Sequence, residues 1–196
     1  MKPKVAVLIP TLNEEATLGQ VIDMVPVRVL SDEGYDTGLY MSLTETLKTL
    51  RSKKALEKDA AVPTVKQPGK GSAMQLAFTS VRADYFIMID GDDTYPPERI
   101  TDFLRLLSTY DVILGSWIKG RIEEGAMALT NVFGNRVLPA VVRMLFKKDI
   151  TDLCTGFWGY CGCVVDRMNL VAQGFEIEAD MFIECARHDF SMGGWR

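Results

Sequence analysis

Asp84-Tyr85-Phe86-Ile87-Met88-Ile89-Asp90-Gly91-Asp92-Asp93-Thr94 is the stretch on which the reading of this chain turns. After Asp84, its first half is an unbroken apolar run, short for a helix and right for a strand covered on both faces. Its second half releases three carboxylates at the C-terminal end of that strand. In open α/β sheets ligands sit at this edge. Asp90 and Asp92 are two residues apart, so an extended chain points both the same way, and Gly91 adds no bulk between them. Two convergent carboxylates do not both ionise comfortably without a cation. Hard oxygen donors suit Mg²⁺ or Mn²⁺. The competing reading is an Asp-rich turn that caps the helix opened by Pro96-Pro97. An EF-hand loop fits poorly, because Tyr95 stands where that loop needs its Gly.

Upstream, Val5-Ala6-Val7-Leu8-Ile9 is a second buried strand, ended by Pro10. Thr11 and Glu14 have capping-box spacing, and a helix follows to about Met24 with Leu18, Val21, Ile22 and Val25 on one face. Gly38 to Leu43 reads as a strand and Thr44 to Lys58 as a helix. That helix has a basic outer face (Lys48, Arg51, Lys53, Lys54, Lys58), either solvated or facing an anionic membrane. Val62 to Val65 is a short strand, and Ser72 is the expected N-cap of a helix through Val81. Val112 to Gly115 is a further strand. The alternation predicts an α/β fold: a mainly parallel sheet with helices on both faces. Downstream, Ala126 to Phe146 is a helix interrupted by Gly134 and Pro139. A loop and short strand follow over Asp149 to Tyr160, then a last helix over Ala179 to Arg187. Ser191 to Arg196 shows no period.

Composition narrows the function classes. The 196 residues are 47% hydrophobic and 24% charged, which suits one globular domain over 1–196 rather than a disordered chain. The net charge of −4 argues against nucleic acid as a partner. No apolar run reaches the roughly 18 residues of a membrane span. The N-terminal run is too short for a signal peptide, so a cytoplasmic location is expected. Cys154, Cys161, Cys163 and Cys185 have neither a disulfide framework nor common zinc spacing and read as structural thiols. His188, the one histidine, reads as a surface residue.

Two further loops carry chemistry. Gln67-Pro68-Gly69-Lys70-Gly71-Ser72 places glycines and a cation before a helix N-terminus, an arrangement that presents backbone N–H groups to an anion or serves as a plain turn. Pro10-Thr11-Leu12-Asn13-Glu14 again follows a strand, and Asn13 and Glu14 either bond a base or ribose or cap the helix. Three polar loops after three strands converge on one sheet edge.

In combination these motifs resemble the family 2 glycosyltransferases of GT-A fold. The later segments Gly134-Asn135-Arg136, Asp152 with Thr155-Gly156-Phe157, and Gly174-Phe175-Glu176-Ile177-Glu178 are similar to its polyprenyl-phosphate (dolichyl-phosphate) hexose transferase branch. The resemblance implies an inverting, metal-dependent transfer of glucose or mannose from a UDP- or GDP-sugar to a polyprenyl phosphate. Pro10, Thr11, Leu12, Asn13 and Glu14 would hold the nucleotide, with Lys70, Gly71, Asp90 and Gly91 beside it. Asp90 and Asp92 would bind the Mg²⁺ or Mn²⁺, and Asp92, Asp93 and Arg136 would make the catalytic set. Arg121, Arg136 and Glu176 would face the acceptor, with Arg121 or Lys119 substituting for a phosphate-facing cation that the family usually has. The apolar segment Val137 to Phe146 and the basic helix face make a peripheral contact with the membrane an expectation, beside the ordinary buried-helix reading.

The chain also departs from the family pattern. Gly38 to Leu43 has no acidic Asp-Gly-x-Ser motif, and Trp117 and Trp158 stand where Arg is usual. Those tryptophans stack on a sugar or pack in the core. The resemblance also implies that the usual C-terminal acceptor and membrane segment is missing from 1–196. A glycan or small-molecule acceptor, a non-catalytic nucleotide-binding module, and an aspartyl phosphohydrolase with Asp90 as nucleophile are the alternatives.

Overall fold

The computed structural model describes residues 1–11, 15–44, 64–65, 69–115 and 155–195. The helices expected at Thr44 to Lys58 and Ala126 to Phe146 lie outside them, as do Cys154 and Trp117. The elements in chain order are β1 (Lys4–Thr11), α1 (Glu15–Met24), α2 (Val27–Asp32), β2 (Asp36–Thr44), β3 (Thr64–Val65) and α3 (Lys70–Ser80). They continue with β4 (Tyr85–Ile89), a 3₁₀ turn (Pro97–Arg99), α4 (Ile100–Leu106), β5 (Val112–Gly115), β6 (Phe157–Cys161), α5 (Gly162–Val165), α6 (Ile177–Arg187) and β7 (Met192–Trp195).

The strands form one seven-stranded sheet in the order β3-β2-β1-β4-β6-β5-β7. Both faces are covered, which is why β1 and β4 are apolar throughout rather than alternating. Val5, Val7, Ile9, Ile87 and Ile89 face α1, α2 and α4, with Leu18, Val21, Ile22, Leu30 and Phe103 packed on them. Ala6, Leu8, Phe86 and Met88 face α3, α5 and α6, meeting Met74, Phe78, Val164, Ile177, Met181 and Phe182. Pro10 falls beyond Leu8, the last β1 residue paired with β4, so its missing N–H leaves that ladder intact.

Most pairings are parallel, as expected, but β6 runs antiparallel to both β4 and β5. The reversal positions the site. Ile89 pairs with Phe157, so the residues that enter β6 lie beside those that leave β4. The Asp90 N–H donates to the Gly156 carbonyl at 3.1 Å.

Several expectations shift. The helix expected from Ser72 begins at Lys70, with Gly69 as its cap. α2 was not foreseen in the stretch after Val27. β7 lies where no period was legible, because Gly193 and Gly194 carry no side chain to alternate. Trp158 is a core residue: it is fully buried, its indole N–H donates to the Thr155 carbonyl at 2.7 Å, and its ring stacks on Tyr160. Cys161, Cys163 and Cys185 are free thiols. Burial pushes the Cys185 thiol up to about 12 and the Cys161 thiol up to about 11, so neither is a ready nucleophile.

Candidate functional site

The site is built where β4 ends and α3 and α6 begin. Lys70, the first residue of α3, turns its ammonium between two carboxylates. It stands 2.7 Å from Asp90 Oδ1 and 2.6 Å from Glu178 Oε1. The Lys70 and Glu178 side chains are only 12% and 9% exposed. Such burial makes each member dependent on the others.

The charges do not cancel. One ammonium faces Asp90 and Glu178, with Asp92 nearby, so the cluster is left net negative. Burial pulls the Lys70 ammonium down, but the Asp90 and Glu178 carboxylates together overcome it and hold it at about 12. Burial pushes the Asp90 carboxyl up. Lys70 pulls it back only in part, and Glu178 and Asp92 push the same way as burial.

Gly156 is the floor of this site. A Cβ there would come within 1.9 Å of Asp90 Oδ2, so only glycine lets the carboxylate lie flat against β6. Its N–H donates to the buried Tyr95 hydroxyl at 2.9 Å. The loop after β4 is pinned from α1. The Thr17 hydroxyl donates to the Gly91 carbonyl at 2.7 Å, and the Gln20 amide to Asp93 at 2.9 Å. Asp93 takes a positive φ of 65°, which turns the chain sharply. Asp92 is exposed, and its Oδ1 accepts the Thr94 N–H at 2.9 Å.

The glycine loop before α3 differs from its sequence reading. The N–H groups of Gly71 and Ser72 donate at 3.0 Å to the carbonyls of Gly174 and Gln173. A Cβ on Gly71 would meet the Ala172 carbonyl at 2.2 Å, and one on Gly69 the Gln173 carbonyl at 2.2 Å. The cradle expected for an anion is therefore filled by the protein's own backbone, and Lys70 serves carboxylates.

Glu176 lies just before α6. It is exposed, and its Oε1 accepts the N–H groups of Gly174 and Gln173 at 3.0 and 3.3 Å. Bonds from its own N–H and from Gly174 hold its carboxyl below the ordinary value. Pro10 and the backbone of Thr11 end β1 at the same sheet edge. Leu12, Asn13, Glu14, Arg121 and Arg136 lie outside the described residues. Sequence reasoning placed no role on Glu178 or Tyr95. The signal available for Glu178 was its place in the Gly174 to Glu178 segment that carries part of the family resemblance. His188 sits ten residues along α6 from Glu178, about 15 Å at 1.5 Å per residue, and has no part in this cluster.

A divalent cation fits this set of groups. The cluster is net negative, and Asp92 sits exposed at its rim. Hard cations bound beside phosphates commonly take only one or two carboxylates from the protein. Among the described residues no group of three or more His, Cys, Asp and Glu forms a complete cage, so phosphate oxygens would have to finish the shell.

Comparison with known proteins gives the family and the fold. Residues 43–164 match the model for glycosyl transferase family 2. The chain belongs to glycosyl transferase family 2. The glycosyltransferase AglJ of Haloferax volcanii is 32% identical over 187 residues, covering 93% of this chain and 58% of the relative. The dolichol-phosphate mannosyltransferase of Pyrococcus furiosus is 24% identical, covering 92% of this chain and 53% of that protein. The chain thus spans about half the length of the curated relatives it matches. Among solved structures, glucosyl-3-phosphoglycerate synthase from Mycobacterium tuberculosis with Mn²⁺, UDP-glucose and phosphoglyceric acid superimposes with a TM-score of 0.75. Its identity is 19%, over 98% of this chain and 69% of that one. The fold is the α/β GT-A arrangement that the sequence resemblance implied.

Proposed function

We propose that this family 2 chain transfers a hexose from a UDP- or GDP-sugar to a polyprenyl phosphate, with a divalent cation on the departing diphosphate. The observation that carries the reading is the net-negative Lys70–Asp90–Glu178 cluster with Asp92 exposed beside it, at the sheet edge where nucleotides bind in such folds. The lipid acceptor is supported by the dolichol-phosphate mannosyltransferase among the relatives. The donor class and the cation are supported by the Mn²⁺ and UDP-glucose complex of a protein with this fold.

In this reading Asp92 holds the cation. Bound there, Mg²⁺ or Mn²⁺ supplies charge neutralisation for the leaving nucleoside diphosphate. Lys70 fixes Asp90 against Gly156 so that the rim keeps its shape. Asp93, held by Gln20, sets the turn that presents Asp92. Pro10 to Glu14 are assigned to the nucleotide base, and Arg121, Arg136 and Glu176 to the acceptor. A phosphate oxygen of the lipid attacks the anomeric carbon as the nucleoside diphosphate leaves. That oxygen is already anionic, so the site needs little general-base help. Positioning then supplies much of the rate. Asp90 is badly placed for the phosphohydrolase alternative, with one oxygen on Lys70 and the other against Gly156. No helix among the described residues is long and apolar enough to cross a membrane.

Calorimetric titration of UDP and GDP, each with and without Mn²⁺, tests the donor side. Binding of one nucleotide that needs Mn²⁺ and disappears in Asp92→Asn is the expected result. Absence of binding for both overturns the reading.

A further inference from the structure

Residues 169–175, between α5 and α6, form an irregular strap hydrogen-bonded to both α3 and α6. One row of its backbone turns to α6. The Asn169 N–H donates to Glu184 at 2.9 Å, and those of Val171 and Ala172 to Asp180 at 2.7 and 2.8 Å. The N–H groups of Gln173 and Gly174 go to Glu176, as described above. The other row turns to α3: the Gln75 amide donates to the Ala172 carbonyl at 2.6 Å, and Gly71 and Ser72 to the next two carbonyls. These bonds take up the N–H groups of Asn169 and of Val171 to Gly174 and the carbonyls of Ala172 to Gly174, which lowers the cost of laying that part of the strap against an apolar partner.

Its outward side chains suit such a partner. Val171 and Phe175 are 73% and 75% exposed, while Ala172 between them is buried. Asn169 to Phe175 contains no charged residue. Beside Val171, Leu170 helps line a groove of about 290 Å³ whose other apolar walls are Phe78, Val165 and Met168, with Gln75, Thr79 and Asn169 completing it. The upper end of the strap meets Gly71, next to Lys70. Gln75, Phe78 and Thr79 lie five to nine residues along α3 from Lys70, about 7–14 Å at 1.5 Å per residue.

We propose that this strap and groove hold the hydrocarbon tail of the lipid-phosphate acceptor and lead it from the site along the outside of α3. The assignment rests on the acceptor reading above. An anionic bilayer is a poorer match, because the strap offers no basic side chain. A protein partner is poorer too, since two apolar side chains and a small groove fall far short of the roughly 800 Å² a stable interface buries on each side.

The test is the double variant Val171→Ser with Phe175→Ser, whose exposed positions leave the fold intact. Transfer is compared for a full-length polyprenyl phosphate and geranyl phosphate in non-ionic micelles. The KM for the long acceptor is expected to rise about tenfold, about 1.4 kcal/mol, and the preference for long over short to fall by the same factor. Equal preference in variant and wild type overturns the proposal. A second measurement, equilibrium binding of polyprenol lacking the phosphate, does not need turnover. Binding by the wild type that is lost in the variant supports the tail track even if no lipid phosphate is ever glycosylated, a result that would sink the acceptor reading alone. Failure of the wild type to bind the polyprenol overturns the track. So does loss, in the variant, of flotation on phosphatidylcholine vesicles free of polyprenyl lipid, which would assign the patch to the bilayer surface.

Discussion

The two glycine-flanked loops at the edge of the sheet make an instructive pair. Both Gly69-Lys70-Gly71 and Asp90-Gly91-Asp92 read as ligand-binding loops at the end of a strand or the start of a helix. In the first, the fold consumes the feature. The N–H groups meet carbonyls of the strap, the glycines make room for it, and the lysine is spent on Asp90 and Glu178. In the second, Asp90 is drawn inward by that lysine while Asp92 stays at the rim. Glycine next to a charge therefore says that something approaches the backbone closely. It does not say whether the visitor is a ligand or the chain itself.

If the first loop is structural and the second functional, substitutions should separate them. Lys70→Met leaves Asp90 and Glu178 facing each other without their cation. Loss of one partner from a buried pair costs about 3–5 kcal/mol. At this chain length that is a fall in Tm of about 6–20 °C, read by thermal denaturation. A Tm within a degree of wild type would break the comparison. Gly71→Ala comes next. Its Cβ must displace the Ala172 carbonyl, at about 1–3 kcal/mol, with increased exchange of the Gly174-bonded amide measured by hydrogen exchange.

Alkaline titration sharpens the same point. Lys70 is raised from 10.5 to about 12, so its share of stability is complete below pH 10.5 and is lost as the pH climbs through 12. The shift corresponds to about 2 kcal/mol, and the difference between wild type and Lys70→Met should shrink by that amount across the window. Chemical denaturation at stepped pH measures it. The smallest effect on stability, within about 0.5 kcal/mol, is expected for Asp92→Asn, because the side chain is exposed. The same variant should weaken Mn²⁺-dependent nucleotide binding at least tenfold, roughly the range seen when metal-site groups are lost. A large Tm loss with unchanged binding would reverse the roles assigned to the two loops.

Strands β1, β4 and β5 and helices α1 and α6 were legible in the chain, because a strand covered on both faces must be apolar throughout and an amphipathic helix must repeat near 3.6. α2 was lost in a short segment between a proline and a glycine, with one buried residue, Leu30, to mark it. Gly193 and Gly194 hid β7, which the tertiary structure recruits by pairing with β5. In the site, the Asp90 to Asp93 loop was visible because acidic residues after an apolar run stand out. Glu178 was not, because its partner Lys70 lies 108 residues away in the chain.

The sequence by itself determined the α/β alternation, the family, and the acidic edge at Asp90 to Asp93, since each is written in local pattern or contiguous motif. Tertiary structure alone decided the reversal of β6 that sets Gly156 under Asp90, the diversion of Lys70 from an anion to two carboxylates, and the burial of Trp158. Each of those depends on which distant backbone or charge arrives at close range, and the low-dielectric interior then makes that neighbour outweigh the residue's own solution preference.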